Sequence, residues 1–218
     1  MTEFNPAYIH NRRDVVSLLK EIPSHILDVG CSNGTLGQDL KRAFPNATVI
    51  GIEKDPAMAK VATNHLDEVI VTDLDNAAWS DNLTGHTFDL IICADVLGHL
   101  KKPWEVLYIL QQLLTPEGYL IISLPNVRHW SVIYQVFVKG DWPILNSGIF
   151  DKTHLRFFTK RSAKRLMEKS SLTVEKIVAK HSFYDDVGTP RHGLGRFISR
   201  IPGAQEFVSY QWIFICRK

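Results

Sequence analysis

The run His25-Ile26-Leu27-Asp28-Val29-Gly30-Cys31-Ser32-Asn33-Gly34-Thr35-Leu36-Gly37 constrains this chain's fold more than any other. Residues that favour a buried strand end in a carboxylate, a glycine-punctuated turn follows, and residues 36–44 are helix-compatible. In an open α/β sheet such a turn lies at the carboxyl edge of its strand, where ligands bind. Gly30 and Gly34 let the backbone pass close to a ligand, and the next helix offers unpaired N–H groups to an anion. Asp28 sets a negative charge beside the same cleft. Anion donors together with a carboxylate suit a zwitterion better than a pyrophosphate.

Glycine spacing separates two nucleotide ligands. A nicotinamide-binding turn, G-x-G-x-x-G from Gly30, requires glycine at 32 and a small residue at 35. Position 32 is serine, and the glycines fall at 30, 34 and 37. This favours S-adenosylmethionine, whose amino acid tail and sulfonium make it such a zwitterion.

Short apolar runs alternate with helical ones as far as residue 125. Strands are expected at 25–29, 47–52, 68–72, 87–93 and 119–124, with helices near 35–44, 56–65 and 103–114 and a turn at 115–118. Continuous apolar strands separated by helices indicate a parallel sheet covered on both faces. The remainder breaks this rhythm. Residues 126–158, rich in aromatics and turn formers, read as an insertion or lid after the fifth strand; Thr159 can cap a basic helix reaching about Ser170. A sixth strand is expected at 172–181, a mobile loop at 183–204 and a final strand at 207–216. Residues 6–22 form an amphipathic helix ended by Pro23, so 1–23 make a helical cover. At 218 residues, the whole of 1–218 reads as a single domain.

With 25 basic and 23 acidic residues, the net charge of +2 is too small to imply a nucleic-acid or membrane partner. No apolar run approaches a membrane span, and the start, Met1-Thr2-Glu3-Phe4-Asn5-Pro6, has no signal core. Cys31, Cys93 and Cys216 lack C-x-x-C spacing, which argues against a disulfide framework or zinc site and fits a reducing compartment. The expectation is a soluble, cytoplasmic protein with no metal, no membrane insertion and no nucleic acid.

Further candidate contacts end the next strands. Glu53, beside Lys54, lies 23 residues beyond Gly30, where a carboxylate can accept both ribose hydroxyls. Asp73 can accept from an adenine amino group while Leu74 packs on the ring. If strands one and four are neighbours, Ala94, Asp95 and Val96 line the donor cleft, and His99 packs locally. Tyr8, Arg12 and Arg13 on the leading helix are placed to fold over the cleft and hold the donor's carboxylate.

With these motifs in order, residues 6–181, and most specifically 26–125, resemble a class I S-adenosylmethionine-dependent methyltransferase. The resemblance implies a Rossmann-like, doubly wound, seven-stranded sheet of order 3-2-1-4-5-7-6 with an antiparallel last strand. It implies that Asp28, Gly30, Cys31, Ser32 and Gly34 surround the donor's amino acid part. Glu53 would then bind ribose, Asp73 and Leu74 adenine, and Ala94-Asp95-Val96 would lie near the sulfonium. Ser32 replaces the usual middle glycine, which requires an ordinary backbone there; Gly98 stands where relatives often have Glu before His-Leu. Residues 124–131 and 148–159 are similar to small bacterial methyltransferases found alone or fused to glycosyltransferases.

Methyl transfer is an in-line displacement in which positioning dominates, and an oxygen acceptor must also lose a proton. His129 and His154 lie in the insertion as candidate bases, with Asp151 close enough in sequence to fix the His154 ring. Asn126, Arg128, Trp130 and Arg156 are the candidate acceptor contacts; the arginines suit an anionic acceptor such as a nucleotide sugar or lipid-linked glycan. The expectation is O-methylation of a small or glycan-like molecule, with N-methylation or non-catalytic donor binding as rival readings.

Overall fold

The structure, a computed structural model, describes residues 12–19, 21–181 and 204–218. Tyr8, most of the expected leading helix and residues 183–203 of the expected loop lie outside these. Seven strands form one sheet: β1 (His25–Val29), β2 (Thr48–Glu53), β3 (Glu68–Val71), β4 (Phe88–Ala94), β5 (Leu114–Pro125), β6 (Thr173–His181) and β7 (Ser209–Arg217). Their order is β3-β2-β1-β4-β5-β7-β6, as expected. The first five pair in parallel, and β7 runs antiparallel to both β5 and β6. The helices are α1 (Arg13–Val16), α2 (Thr35–Ala43), α3 (Pro56–Ala62), α4 (Pro103–Gln112), α5 (Trp130–Ile133), α6 (Lys160–Lys169) and α7 (Gln205–Val208).

Alternation along the strands divides the core between two faces. Ile26, Val49, Leu90, Ile92 and Ile121 pack with Val15, Leu36, Leu40 and Ala62 from α1, α2 and α3. Leu27, Ile50, Ile91, Leu120 and Ile122 pack with Val106, Leu107 and Leu110 of α4 and with Met167 of α6. Each such buried aliphatic side chain contributes about 1.5–3 kcal/mol. Strand order reverses between β1 and β4, so a crevice opens at their carboxyl ends.

Local signals end the helices as their residues dictate. Pro103 opens α4, and Thr159 and Ser162 exchange side-chain and backbone hydrogen bonds in a capping box at α6. The turn expected at 115–118 instead lies inside β5. Pairing jumps from Phe88 opposite Leu114 to Leu90 opposite Tyr119, so residues 115–118 bulge out, and Pro116 needs no ladder partner there. The insertion, 126–158, contains α5, a wide turn at Tyr134–Val138 and a small core of Val132, Ile149 and Phe150. Among the described residues, no helix is long and apolar enough to cross a membrane.

Candidate active site

At the end of β1 the chain folds back on β2. The Gly30 and Cys31 amides donate to the Ile52 carbonyl at 2.8 and 2.9 Å. The Ser32 amide donates to one Glu53 oxygen at 2.8 Å; the other oxygen accepts the Lys54 and Asp55 amides, each at 2.8 Å. Glu53 therefore ties the glycine loop to the end of β2 with its carboxylate at the cleft rim. Ser32 has φ 50°, so the expected ordinary backbone is corrected: the loop keeps a glycine-type conformation to reach Glu53, at a cost of roughly 1–2 kcal/mol. The Ser32 hydroxyl is buried without a hydrogen-bond partner among the described residues. Gly34, φ 80°, leads into α2 and supplies no side-chain cap, while Asn33 Oδ1 accepts the Thr35 amide at 3.3 Å. Val96 packs so closely over Gly30 that a Cβ there would lie 2.5 Å from its Cγ2.

Asp28 is buried, and its Oδ2 has no hydrogen-bond partner among the described residues. Burial pushes its carboxyl up to about 7; Arg12 opposes the shift and Glu53 adds to it. Cys31 turns its sulfur inward against Gly51, and burial pushes the thiol up, so its side chain is core rather than a donor contact. Asp73 is exposed. Its Oδ1 accepts the Asp75 amide at 3.0 Å and its Oδ2 meets Lys54 Nζ at 3.5 Å; the two hold the carboxyl below its usual range. Leu74, the next residue, packs into the core.

Ala94 ends β4, and Asp95 follows with φ 61°. The Asp95 carboxylate accepts from Arg12 Nη1 at 2.5 Å, from Ser123 Oγ at 3.1 Å and from Gln211 Nε2. Arg12 also donates to Ser123 Oγ at 3.1 Å and to Asp14 at 3.2 Å. Burial works against the guanidinium's charge, but Asp95 and Asp14 more than offset it and hold its pKa high. The leading segment thus reaches the crevice as expected, yet Arg12 grips Asp95. Ser123 and Gln211 were not anticipated; Ser123 lies between Ile122 and Leu124 and Gln211 beside Trp212, and a polar residue among such neighbours is the available signal.

The insertion docks through Gly98, whose carbonyl accepts the Leu155 and Arg156 amides at 2.8 and 2.9 Å. The His154 ring lies on Gly98, where a Cβ would stand 2.9 Å from its Cδ2 and 3.2 Å from its Nε2. His154 Nδ1 faces the Ile149 carbonyl at 3.3 Å; a carbonyl only accepts, so we assign the proton to Nδ1 and the lone pair to Nε2. His99 stacks on this ring, centroids 4.4 Å apart. Burial and His154 hold the His99 pKa below its usual value. Asp151 does not reach His154: it accepts the Thr153 hydroxyl at 2.6 Å, and that hydroxyl lies 2.9 Å from His99 Nδ1. The acid expected to orient His154 therefore orients its neighbour.

Other expected acceptor contacts have structural partners. Asn126 is buried and donates to the Glu206 and Ser209 carbonyls, both at 2.7 Å, clamping the insertion to α7 and β7. His129 is buried and caps α5, accepting the Ser131 amide, so it is not placed as a base. Arg128 pairs with Glu206 and covers the Phe207 ring. Arg156 donates to the Lys101 carbonyl at 3.1 and 2.5 Å and stacks on Trp104. Trp130 is half-buried, between His129 and Tyr134. Side-chain partners, which spacing does not reveal, made these differences. Among the described residues no three His, Cys, Asp or Glu side chains gather to hold a metal.

Comparison with known proteins agrees with this geometry. Residues 1–177 match the family described as "Methyltransferase domain". Trans-aconitate 2-methyltransferases of Escherichia coli are similar: those of strains UMN026 and 536 are 29% and 30% identical over 135 residues, 58% of this chain and 52% of theirs. The chain spans about half the length of these curated relatives. Among solved structures, a SAM-dependent methyltransferase from Archaeoglobus fulgidus superposes with TM-score 0.65 at 16% identity, covering 94% of this chain and 90% of that one. A possible histamine N-methyltransferase from Thermotoga maritima gives 0.62 at 18% identity, covering 94% and 86%. The sheet order, the glycine loop with its strand-end acids and the family match over most of the chain converge: this protein belongs to the class I S-adenosylmethionine-dependent methyltransferases.

Proposed function

We propose that the protein transfers the methyl group of S-adenosylmethionine to a hydroxyl oxygen of a small or sugar-like molecule. The observation that carries the donor half is the buried Asp28 carboxyl, whose Oδ2 has no hydrogen-bond partner among the described residues and which becomes a good anion once a cation is set beside it. An α-ammonium group meets that need. Glu53 and Asp73 offer carboxylate oxygens at the rim for hydroxyl and amino donors, and the first turn of α2 beyond Thr35 suits a carboxylate. S-adenosylmethionine supplies an electrophilic methyl on a sulfonium, which the acceptor oxygen attacks opposite the sulfur.

On the acceptor side, His154 Nε2 takes the hydroxyl proton, with Nδ1–H anchored on the Ile149 carbonyl. His99, packed against it and held neutral, lines the same place. The named substrate of the E. coli relatives is an acid, yet Arg128 and Arg156 are already engaged here, which favours a neutral hydroxyl acceptor.

Calorimetry with S-adenosylmethionine, followed by a screen of hydroxyl and amine acceptors for the mass gain of one methyl, tests the reading. His154→Gln is expected to lower kcat about 10²–10⁴-fold and to leave donor affinity unchanged. Transfer to amines with no loss in that variant would replace oxygen by nitrogen; absence of donor binding would remove the activity altogether.

A further inference from the structure

Asp151, Thr153 and His154 share one short stretch of the insertion but reach different partners. Asp151 is buried, and its Oδ1 accepts the Thr153 amide at 2.8 Å and the Thr153 hydroxyl at 2.6 Å. The same hydroxyl stands 2.9 Å from Nδ1 of His99, 54 positions earlier in the chain. A hydroxyl has one proton to give. A carboxylate only accepts, so Asp151 takes it; the Thr153 oxygen accepts in turn, and the His99 proton lies on Nδ1.

His99 closes the turn Leu97–His99, which follows Val96, the side chain that packs over Gly30 of the glycine loop. Its ring centroid lies 4.4 Å from that of His154, with the two planes 30° apart. Gly98 leaves the His154 ring room to lie there, and Phe157 meets that ring edge-on at 6.2 Å. The charges that act on His99 are those of His154, Asp151 and Asp95; burial and His154 prevail and favour a neutral ring.

Methyl transfer to oxygen relocates a charge. As the oxygen bonds to the methyl carbon, the electron pair of the C–S bond returns to sulfur and the hydroxyl proton passes to His154 Nε2. The positive charge thus leaves the sulfonium and ends on an imidazole. A second cation stacked against that imidazole would oppose the step. We propose that Thr153 is a positioning residue for this proton transfer, an inference that rests on His154 as the base. Its hydroxyl joins Asp151 to His99 and holds His99 in one tautomer and one tilt. His99, packed on His154, fixes in turn the ring that takes the proton. Asp151 acts on the base at two removes, through Thr153 and His99.

Thr153→Val deletes the hydroxyl and keeps the amide that donates to Asp151, so the local turn survives; Thr153→Ser keeps both. The test reads the ring nitrogens of the full chain by NMR after isotope labelling at histidine, with His99→Gln assigning the His99 signals. Wild type and the serine variant are expected to show His99 as the Nδ1–H tautomer, and the valine variant to lose that preference. With a hydroxyl acceptor that the wild type methylates, the valine variant should lower kcat about tenfold at unchanged donor Kd, and serine should restore it. A His99 tautomer unaltered by valine overturns the proposal, as does a serine variant as slow as the valine one. Undiminished kcat in His154→Gln removes the base and with it the role of Thr153. The ring-nitrogen signals distinguish that failure from a missing link, because they do not depend on methyl transfer.

Discussion

A carboxyl that is buried at the end of β1 and titrates near 7 makes folding and donor binding respond to pH in opposite directions. Between the unfolded Asp28 pKa of about 4 and its folded value of about 7, the unfolded chain has lost a proton that the native one keeps. Stability therefore falls as pH rises through that window, by about 1.4 kcal/mol per unit from this group, and levels off above it. Asp28→Asn is expected to abolish that slope in denaturant midpoints measured across the window while weakening the donor at least about tenfold. A variant with the wild-type slope would assign the pH dependence to another group. Donor binding to the wild type should release a proton below pH 7, read as a dependence of calorimetric heat on buffer. Ser32→Gly relieves a left-handed serine and deletes a buried, unpartnered hydroxyl. After the extra chain entropy of glycine, a net gain of about 0.5–1 kcal/mol is expected in thermal unfolding. Asp28 and Glu53 were legible as strand-end acids beside the glycine turn because strand ends and glycine spacing are local. The conformation of Ser32 was not, because it is imposed by a carboxylate 21 residues away.

At the scale of elements, sequence pattern located strands and helices well and their attachments poorly. Apolar runs mark β1, β2 and β4 because each is buried on both faces, and Thr159 marks the start of α6 because its cap is local. Arg128 and Arg156 looked equally fit to face an acceptor; their partners, Glu206 and the Lys101 carbonyl, are brought to them only by the tertiary fold. Asn126 and Gly98, two of the points that attach the insertion, give separable predictions. Asn126→Ala leaves the Glu206 and Ser209 carbonyls without their donor and should destabilise the protein by about 1–3 kcal/mol in equilibrium unfolding. Gly98→Glu drives a side chain into the His154 ring. It is expected to speed hydrogen exchange at the Leu155 and Arg156 amides and to abolish transfer while donor affinity is kept. Unaltered exchange at those amides would show that the insertion is held elsewhere.

For the molecule as a whole, the alternation of strands and helices, read with the family resemblance, implied the sheet order before any contact was known. A ligand that binds only the native state stabilises it by mass action, so S-adenosylmethionine at a hundred times its Kd should raise global stability by about 2.7 kcal/mol. A nicotinamide dinucleotide should give no thermal shift. The placement of β7 has a different kind of consequence. It separates β5 from β6 although β6 precedes it in the chain. A ribosome therefore emits β6 before β7, its one strand neighbour among the described residues, exists, and the outer edge of β5 lacks β7 meanwhile. The nascent protein passes through an interval in which five paired strands await their last two, and it is there that chaperone demand and aggregation risk should peak.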